Sequence, residues 1–350
     1  MAQNEVRVPS EALNAFTREV FVRVGLPPED AAIEADVLVW ANLRGVDSHG
    51  VLRIPWYVDL VDKGDMNPRP KIRVVKETAA TVLIDADRAL GPVVTTMAMT
   101  RVVTKAREAG VSWALIRNTT HQGAMAYYSL LAAREGMAGL AIVCSPPNMA
   151  PHGARAAGVH NSPISIAVPA RRRRPLVLDM ATSVAAGGKL RLAVDKGVPI
   201  PEGWALDKDG HPTTDAKRAA VLLPFGGPKG SGLAMMFECL SSLMVDHPLL
   251  EPALSGREGA SRHRQNSIVA AIDIGTFTDV ERYRDHVDRL IDGLKRLPRA
   301  EGTTEVLVPG EPEDRCAEER ARHGIPLPEG TVRNLRSVAA RFDVKLPAGL

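Results

Sequence analysis

The chain is poor in cysteine and lacks the common nucleotide-binding and hydrolase signatures. Cys144, Cys239 and Cys316 are three in 350 residues, widely separated and without a CxxC. An odd, scattered set argues against a disulfide framework and a zinc knuckle. It fits a reducing, cytoplasmic setting. Cys144 and Cys239 lie in apolar runs and read as buried small hydrophobes. No apolar run reaches membrane-span length, and Met1–Ser10 has no apolar signal-peptide region. No membrane partner is expected. There is no GxGxxG after a strand, so the Rossmann fingerprint is missing. GxxxxGK[ST], HExxH and GxSxG are missing too.

What is present is ordinary globular material: 45% hydrophobic, 24% charged, net charge +3. That balance does not point to nucleic acid. The length suits two domains better than one. Helices are expected over Ser10–Val24 and Glu29–Arg44, with a third through Trp56–Val61. Beyond the proline-rich Asn67–Pro70 the pattern mixes types. Strands are expected at Ile72–Val75, Thr81–Ile84, Val111–Ile116, Leu140–Cys144, Ile164–Val168, Leu176–Leu178 and Ile268–Ile274. Helices are expected at Val93–Ala109, Ala124–Glu135, Leu233–Met244, Asp279–Arg296 and Val332–Phe342. This is the pattern of a layered α/β core. Residues 251–266 read as a mobile surface loop and Pro309–Pro312 as a turn.

Four stretches can carry chemistry. In Arg44–Arg53, Gly45 stops one helix and Asp47 or Ser48 can cap the next. His49 and Arg53 then stand four apart on one face. Arg53 could hold a small acid by its carboxylate, with His49 one turn away to move a proton. A helix corner with solvated charges uses the same residues. His121, between a strand end and a helix start, is a second proton-transfer candidate or a satisfied core group. Asp179, at a strand end before Thr182 and Ser183, suits ribose or phosphate contacts, or an ordinary cap. Lys229, inside the glycine-rich Gly226–Gly232, could present a cation and backbone N–H groups to pyrophosphate. The basic run Arg171–Arg174 reads as a solvated turn, or as a contact to a phosphate. His49, His121 and Asp179 as metal ligands would instead make a hydrolase or lyase. They lack ligand spacing, and no metal is expected.

The stretches LRGVDSHGVLRIPWY, RNTTHQGAMAYYSLLAAREGMAGLAIV, LDMATSVAAGGK, IPEGWALDKDGHPTTD, LLPFGGPKGSGLAMM and VLVPGEPED occur in this order over nearly the whole chain. Together they resemble the malate/L-lactate dehydrogenase family of the second type, which includes ureidoglycolate and sulfolactate dehydrogenases and cyclic-imine-acid reductases. The resemblance implies an α/β fold with a non-Rossmann nicotinamide-binding domain on a layered mixed sheet, plus a helical domain from the two terminal segments. Residues 1–68 would form the helical N-terminal part, 69–310 the cofactor domain, and 311–350 helices returning to the N-terminal part. It implies an NAD- or NADP-dependent oxidoreductase, a homodimer, acting on a small 2-oxo or 2-hydroxy acid. A cyclic imine acid is the alternative substrate. His49 is then the proton donor or acceptor with Ser48 beside it, and His121 the base of the ureidoglycolate branch. Arg53 anchors the carboxylate, helped by Arg44. Ser145, Asn161, Asp179, Met180, Ala181, Lys229, Gly230, Gly310, Glu311 and Pro312 become cofactor contacts. The chain departs from the family pattern at His160-Asn161-Ser162-Pro163, at Gln122 and at Pro146, which points away from ureidoglycolate.

Overall fold

The computed structural model describes residues 6–257 and 263–350. Strand β1 (Val6–Val8) precedes helices α1 (Ser10–Val24), α2 (Pro28–Leu43) and α3 (Ile54–Asp62). Next come β2 (Arg73–Glu77), β3 (Thr81–Asp85), α4 (Gly91–Ala109), β4 (Val111–Thr119), α5 (Ala126–Arg134) and β5 (Ala138–Cys144). The hairpin β6 (Ile164–Val168) and β7 (Leu176–Met180) leads to α6 (Gly187–Lys196). Three two-residue strands follow, β8 (Ala205–Leu206), β9 (Pro212–Thr213) and β10 (Val221–Leu222), then α7 (Pro228–Glu238). The chain ends with α8 (Leu250–Leu254), β11 (Gln265–Ile272), α9 (Val280–Lys295), α10 (Glu311–His323), β12 (Ile325–Leu327) and α11 (Glu329–Phe342).

Seven strands form the main sheet in the order β2-β3-β4-β11-β5-β6-β7. Only the β3–β4 pair is parallel, and α4 is its crossover. Side chains alternate across the sheet with period two. Val269 and Ala271 of β11 join Ile116 and Val143 under α4 and α5. Ile268 joins Leu115 and Ile142 on the other face, beneath Phe237, Val245 and Leu249. The central strands are therefore covered on both sides, and each fully buried Ile or Val contributes roughly 1.5–3 kcal/mol.

The two chain ends share a separate core. β1 pairs antiparallel with β12, Val6 opposite Leu327. Leu13, Phe16 and Val20 of α1, and Ile54 and Tyr57 of α3, pack with Val332, Leu335 and Val338 of α11. α1 starts after Pro9 and stops at Gly25, which takes a left-handed φ of 113°.

Several expectations need correction. Of residues 251–266, positions 258–262 lie outside the described residues. The remainder is not one loop, because Leu250–Leu254 is helical and β11 begins at Gln265. Pro309–Pro312 is a turn only as far as Gly310; Glu311 and Pro312 begin α10, where a proline's missing N–H costs nothing. Cys239 is exposed, because it opens a π-helical segment (Cys239–Leu243) continuing an uncovered face of α7.

The Arg171–Arg174 turn is not simply solvated. Asp288 accepts the backbone N–H groups of Arg171 (3.2 Å), Arg172 (2.9 Å) and Arg173 (3.3 Å). Arg171 pairs with Asp285 and Arg173 with Asp292. Glu281, Asp285, Asp288 and Asp292 form one stripe of α9, so a basic turn docks on an acidic helix face. Arg174 pairs with Glu318. Among the described residues, no helix is long and apolar enough to cross a membrane.

Candidate active site

The segment after α2 does not form one helix, so His49 and Arg53 do not stand on a common α-helical face. Asp47–His49 is a single 3-10 turn, Gly50 is extended (φ −94°, ψ −154°), and Val51–Arg53 is a second 3-10 turn. The cause is Asn42, near the end of α2. Its Oδ1 accepts the Val51 N–H (2.8 Å) and its Nδ2 donates to Asp47 (2.6 Å). The Asn42 amide fills the space a Cβ at Gly50 would need. Asp47 makes no cap; it is held by Arg320 at 2.6 and 3.0 Å.

The kink folds Arg53 back, so that its Nε donates to the Ser48 carbonyl (2.7 Å) and its guanidinium lies 5.1 Å from the Trp56 ring centroid. Ser48 Oγ is 2.8 Å from His49 Nδ1. His121 arrives from the loop after β4. Its ring stacks on His49 with centroids 5.4 Å apart and planes 20° from parallel. Trp56 meets it edge-on at 5.4 Å. His121 Nδ1 lies 2.5 Å from the Tyr57 hydroxyl and accepts the Gly123 N–H (3.3 Å). An N–H donor needs an unprotonated Nδ1, so in this network the neutral ring carries its proton on Nε2.

Burial first, then the Arg53 charge, holds His49 down to about 3. The same causes push His121 well below the usual histidine value. Both rings are thus neutral at physiological pH. Burial also brings Arg53 down to about 10, where it stays charged. Tyr57, which the motif reading passed over, follows Arg53 by four residues, the spacing of one helix turn. Two further groups act on the imidazoles: Arg191 on both, and His160 on His121.

Two side chains expected at the site are committed elsewhere. Arg44 is buried, pairs with Asp314, and donates to the Gly310 carbonyl (3.3 Å), clamping α2 to α10. Glu311 takes Lys295 Nζ at 2.7 Å on both oxygens and Arg315 at 2.6 Å.

The remaining candidates lie along the end of β7 and the glycine loop. The Asp179 carboxylate accepts the Ala126 N–H (2.7 Å) at the foot of α5, and burial pushes it up to about 6. Val177, two residues before it, donates its N–H to the Pro309 carbonyl (3.3 Å), which brings Gly310 and Pro312 to this edge of the sheet. Met180 pairs with Ile164, Ala181 follows it, and Ser145 follows the last residue of β5. Asn161 exchanges hydrogen bonds with Asn148 (2.8 and 2.9 Å) and reaches Ser183 Oγ (3.4 Å). Phe225 N–H bonds the Thr182 carbonyl (3.0 Å), and Gly230 is packed against that same oxygen.

Lys229 is exposed on the first turn of α7, not within a loop. The N–H groups of Lys229, Gly230 and Ser231 already donate to Gly226, Phe225 and Gly227. The expected nest of free backbone donors is therefore spent, and the ammonium is what remains for an anion. Thr182 Oγ1 is buried without a partner among the described residues. An orphan hydroxyl, an amide and a lysine on one edge fit the ribose and phosphate groups of a dinucleotide. Gly188, just beyond this edge, rests on Ser48, which joins it to the histidine pair. Among the described residues, no three His, Cys, Asp or Glu side chains converge as a metal set.

A family model for malate/L-lactate dehydrogenase matches residues 8–336. The chain belongs to that family. It is an NAD(P)-dependent oxidoreductase of 2-hydroxy and 2-oxo acids. It is 39% identical to the L-sulfolactate dehydrogenase of Methanocaldococcus jannaschii over 94% of this chain and 95% of that protein. It is 36% identical to the malate dehydrogenase of Pyrococcus horikoshii, covering 98% and 97%. The crystal structure of malate dehydrogenase from Entamoeba histolytica superposes with a TM-score of 0.93 at 28% identity, covering 98% of this chain and all (100%) of that one.

Proposed function

We propose that this dehydrogenase interconverts a small 2-hydroxy acid and its 2-oxo acid, with Arg53 holding the carboxylate and His121 handling the proton at the C2 oxygen. The observation that carries this reading is a charged guanidinium beside two stacked, neutral imidazoles. A bound nicotinamide supplies or takes the hydride. In reduction, the substrate carboxylate on Arg53 offsets the charge that, together with burial, keeps His121 deprotonated, and the ring takes up a proton from solvent at Nδ1 as the acid binds, turning from the Gly123 N–H to the Tyr57 oxygen. The imidazolium then gives its Nε2 proton to the C2 oxygen and is left neutral. The Tyr57 hydroxyl can accept from Nδ1–H or donate to bare Nδ1, so it holds the ring in either state. His49, fixed by Ser48, packs against that ring and excludes water. A cyclic imine acid would use the same groups on a C=N bond.

Lys229, Thr182, Asn161, Ser145, Met180, Ala181, Gly310 and Pro312 are the proposed cofactor contacts, with Asp179 ordering the start of α5 beneath them. Support for a binding mode outside the Rossmann pattern is a sheet in which one neighbouring pair alone is parallel. The shared core of the chain ends supports grouping residues 1–68 with 311–350 as a unit distinct from 69–310. The exposed Met235, Met236, Leu240, Leu243 and Met244 support a homodimer formed over α7. Three free thiols support a cytoplasmic setting. The test is a panel of 2-oxo, 2-hydroxy and cyclic imine acids assayed with both nicotinamides. Turnover confined to imines would replace the acid reading, and no turnover at all would end it.

A further inference from the structure

Arg53 is a buried cation without an anion. It is 8% exposed, and among the described residues it makes no ion pair and one hydrogen bond, from Nε to the Ser48 carbonyl. Asp47, the acid closest in sequence, is taken by Arg320. What faces the guanidinium is Trp56, in the first turn of α3: the guanidinium carbon lies 5.1 Å from the centre of the indole ring. An aromatic face attracts a cation most where water is excluded, so the indole offsets part of the cost of burying this charge. With Nε committed to Ser48 and one face committed to the indole, the edge carrying Nη1 and Nη2 remains for a ligand. A carboxylate meets that edge in the guanidinium plane and leaves the aromatic contact intact. Trp56 is itself held from the main sheet. His121, from the loop after β4, meets its ring nearly at right angles with centroids 5.4 Å apart. His263, just before the neighbouring strand β11, meets it at 69° and 5.9 Å. One ring, packed on the core that the chain ends share, thus touches the acid anchor, the proton-handling imidazole and a histidine with no role in the proposed reaction.

From these contacts we infer that Trp56 is the positioning residue of the acid anchor and that His263 acts through it. The indole fixes the plane in which Arg53 offers its free edge to the substrate carboxylate, and His263 keeps the indole against the guanidinium. This rests on the proposed reading of Arg53 as the carboxylate anchor and deepens it. A guanidinium whose plane is already set loses less freedom when the acid binds, so the gain appears as affinity for the acid. Neither Trp56 nor His263 needs to touch the substrate for this.

The experiment is calorimetric titration with oxamate, an unreactive analogue of a 2-oxo acid, in the presence of reduced nicotinamide, whose own affinity is measured alongside. The variants are Trp56→Leu, which keeps apolar bulk without a π face, Trp56→Phe, which keeps the face, His263→Ala, and His263→Ala combined with Trp56→Leu. Trp56→Leu should weaken oxamate about five- to thirtyfold, and Trp56→Phe should stay within about threefold of wild type. His263→Ala should weaken it about two- to fivefold. In the Trp56→Leu background the same change should add nothing, the mark of a residue that acts through another. Nicotinamide affinity should hold throughout. An unchanged oxamate affinity in Trp56→Leu, equal losses in Trp56→Leu and Trp56→Phe, a loss shared by the nicotinamide, or a His263→Ala effect that persists without Trp56 overturns the inference. Failure of the anchor reading looks different: Arg53→Lys, titrated in parallel, then binds oxamate as wild type does.

Discussion

His49, from the turn after α2, and His121, from the loop after β4, stack with ring planes 20° apart. The two rings differ in what fixes them. Ser48, the adjacent residue, holds His49. His121 is held from α3 by Tyr57, itself fully buried in the core shared by the chain ends. A phenol that both donates and accepts suits the ring that changes protonation state. His121→Asn should lower turnover by ~10²-fold or more, and His49→Asn by less. Cofactor affinity should hold in both. If His49→Asn proves the more damaging, the two rings exchange roles.

The depressed proton affinity of His49 has a thermodynamic signature. Unfolded, the ring titrates near 6.5; folded, it resists protonation down to about 3. Between those values the unfolded chain binds a proton that the native chain does not. Stability from this group is therefore full above pH 6.5 and is lost as pH falls. Relative to His49→Asn, wild type should lose about 1.4 kcal/mol per pH unit across that window. Paired denaturant titrations at pH 7 and pH 5 measure it. A pH-independent difference would mean that His49 is not held neutral.

The Arg171–Arg174 turn is a structural joint. Asp288 is fully buried; three backbone N–H groups and Arg172 outweigh the burial that would raise it, holding its carboxyl below the usual range. Asp288→Asn should cost about 1–3 kcal/mol of stability. Neutralising Arg172 and Arg173 together should leave NADPH affinity as it is for NADH. Selective loss of NADPH binding at low salt would restore the phosphate-reading role.

Lys229, exposed on the first turn of α7, makes no ion pair among the described residues. Lys229→Ala should raise the apparent KM for the nicotinamide several-fold and leave that of the acid nearly unchanged. Titration of each ligand at saturation with the other separates the two. A change confined to the acid would move Lys229 to the other half of the site.

The elements readable from sequence are those whose signals are local. Pro9 and Gly25 bracket α1 within the chain itself, and the later part of β11 shows as the apolar run Ile268–Ile272, while its polar start at Gln265–Ser267 gave no signal. What stayed hidden depends on distant partners. The helix expected through Asp47–Arg53 is broken by the Asn42 side chain. The docking of Arg171–Arg174 needs the acidic stripe of α9, more than a hundred residues on. Strands β8 to β10 are two residues each, too short for any periodicity. At the site, His49, Arg53 and His121 are visible as motif residues. Arg44 and Glu311 are visible too, but tertiary ion pairs take their charges. Tyr57 carried a readable i, i+4 relation to Arg53. His263 carried no local signal; only its contact with Trp56 brings it in.

The most direct test of the acid-anchoring claim is steady-state reduction of oxaloacetate and pyruvate by NADH and NADPH, followed by loss of the reduced nicotinamide's absorbance, in wild type and Arg53→Lys. Lysine keeps the charge and removes the planar fork. The prediction is turnover in wild type and, in Arg53→Lys of unchanged thermal stability, a KM for the acid raised at least about tenfold with the KM for the nicotinamide unaltered. An unchanged KM for every acid tested, or a loss confined to the nicotinamide, would contradict it.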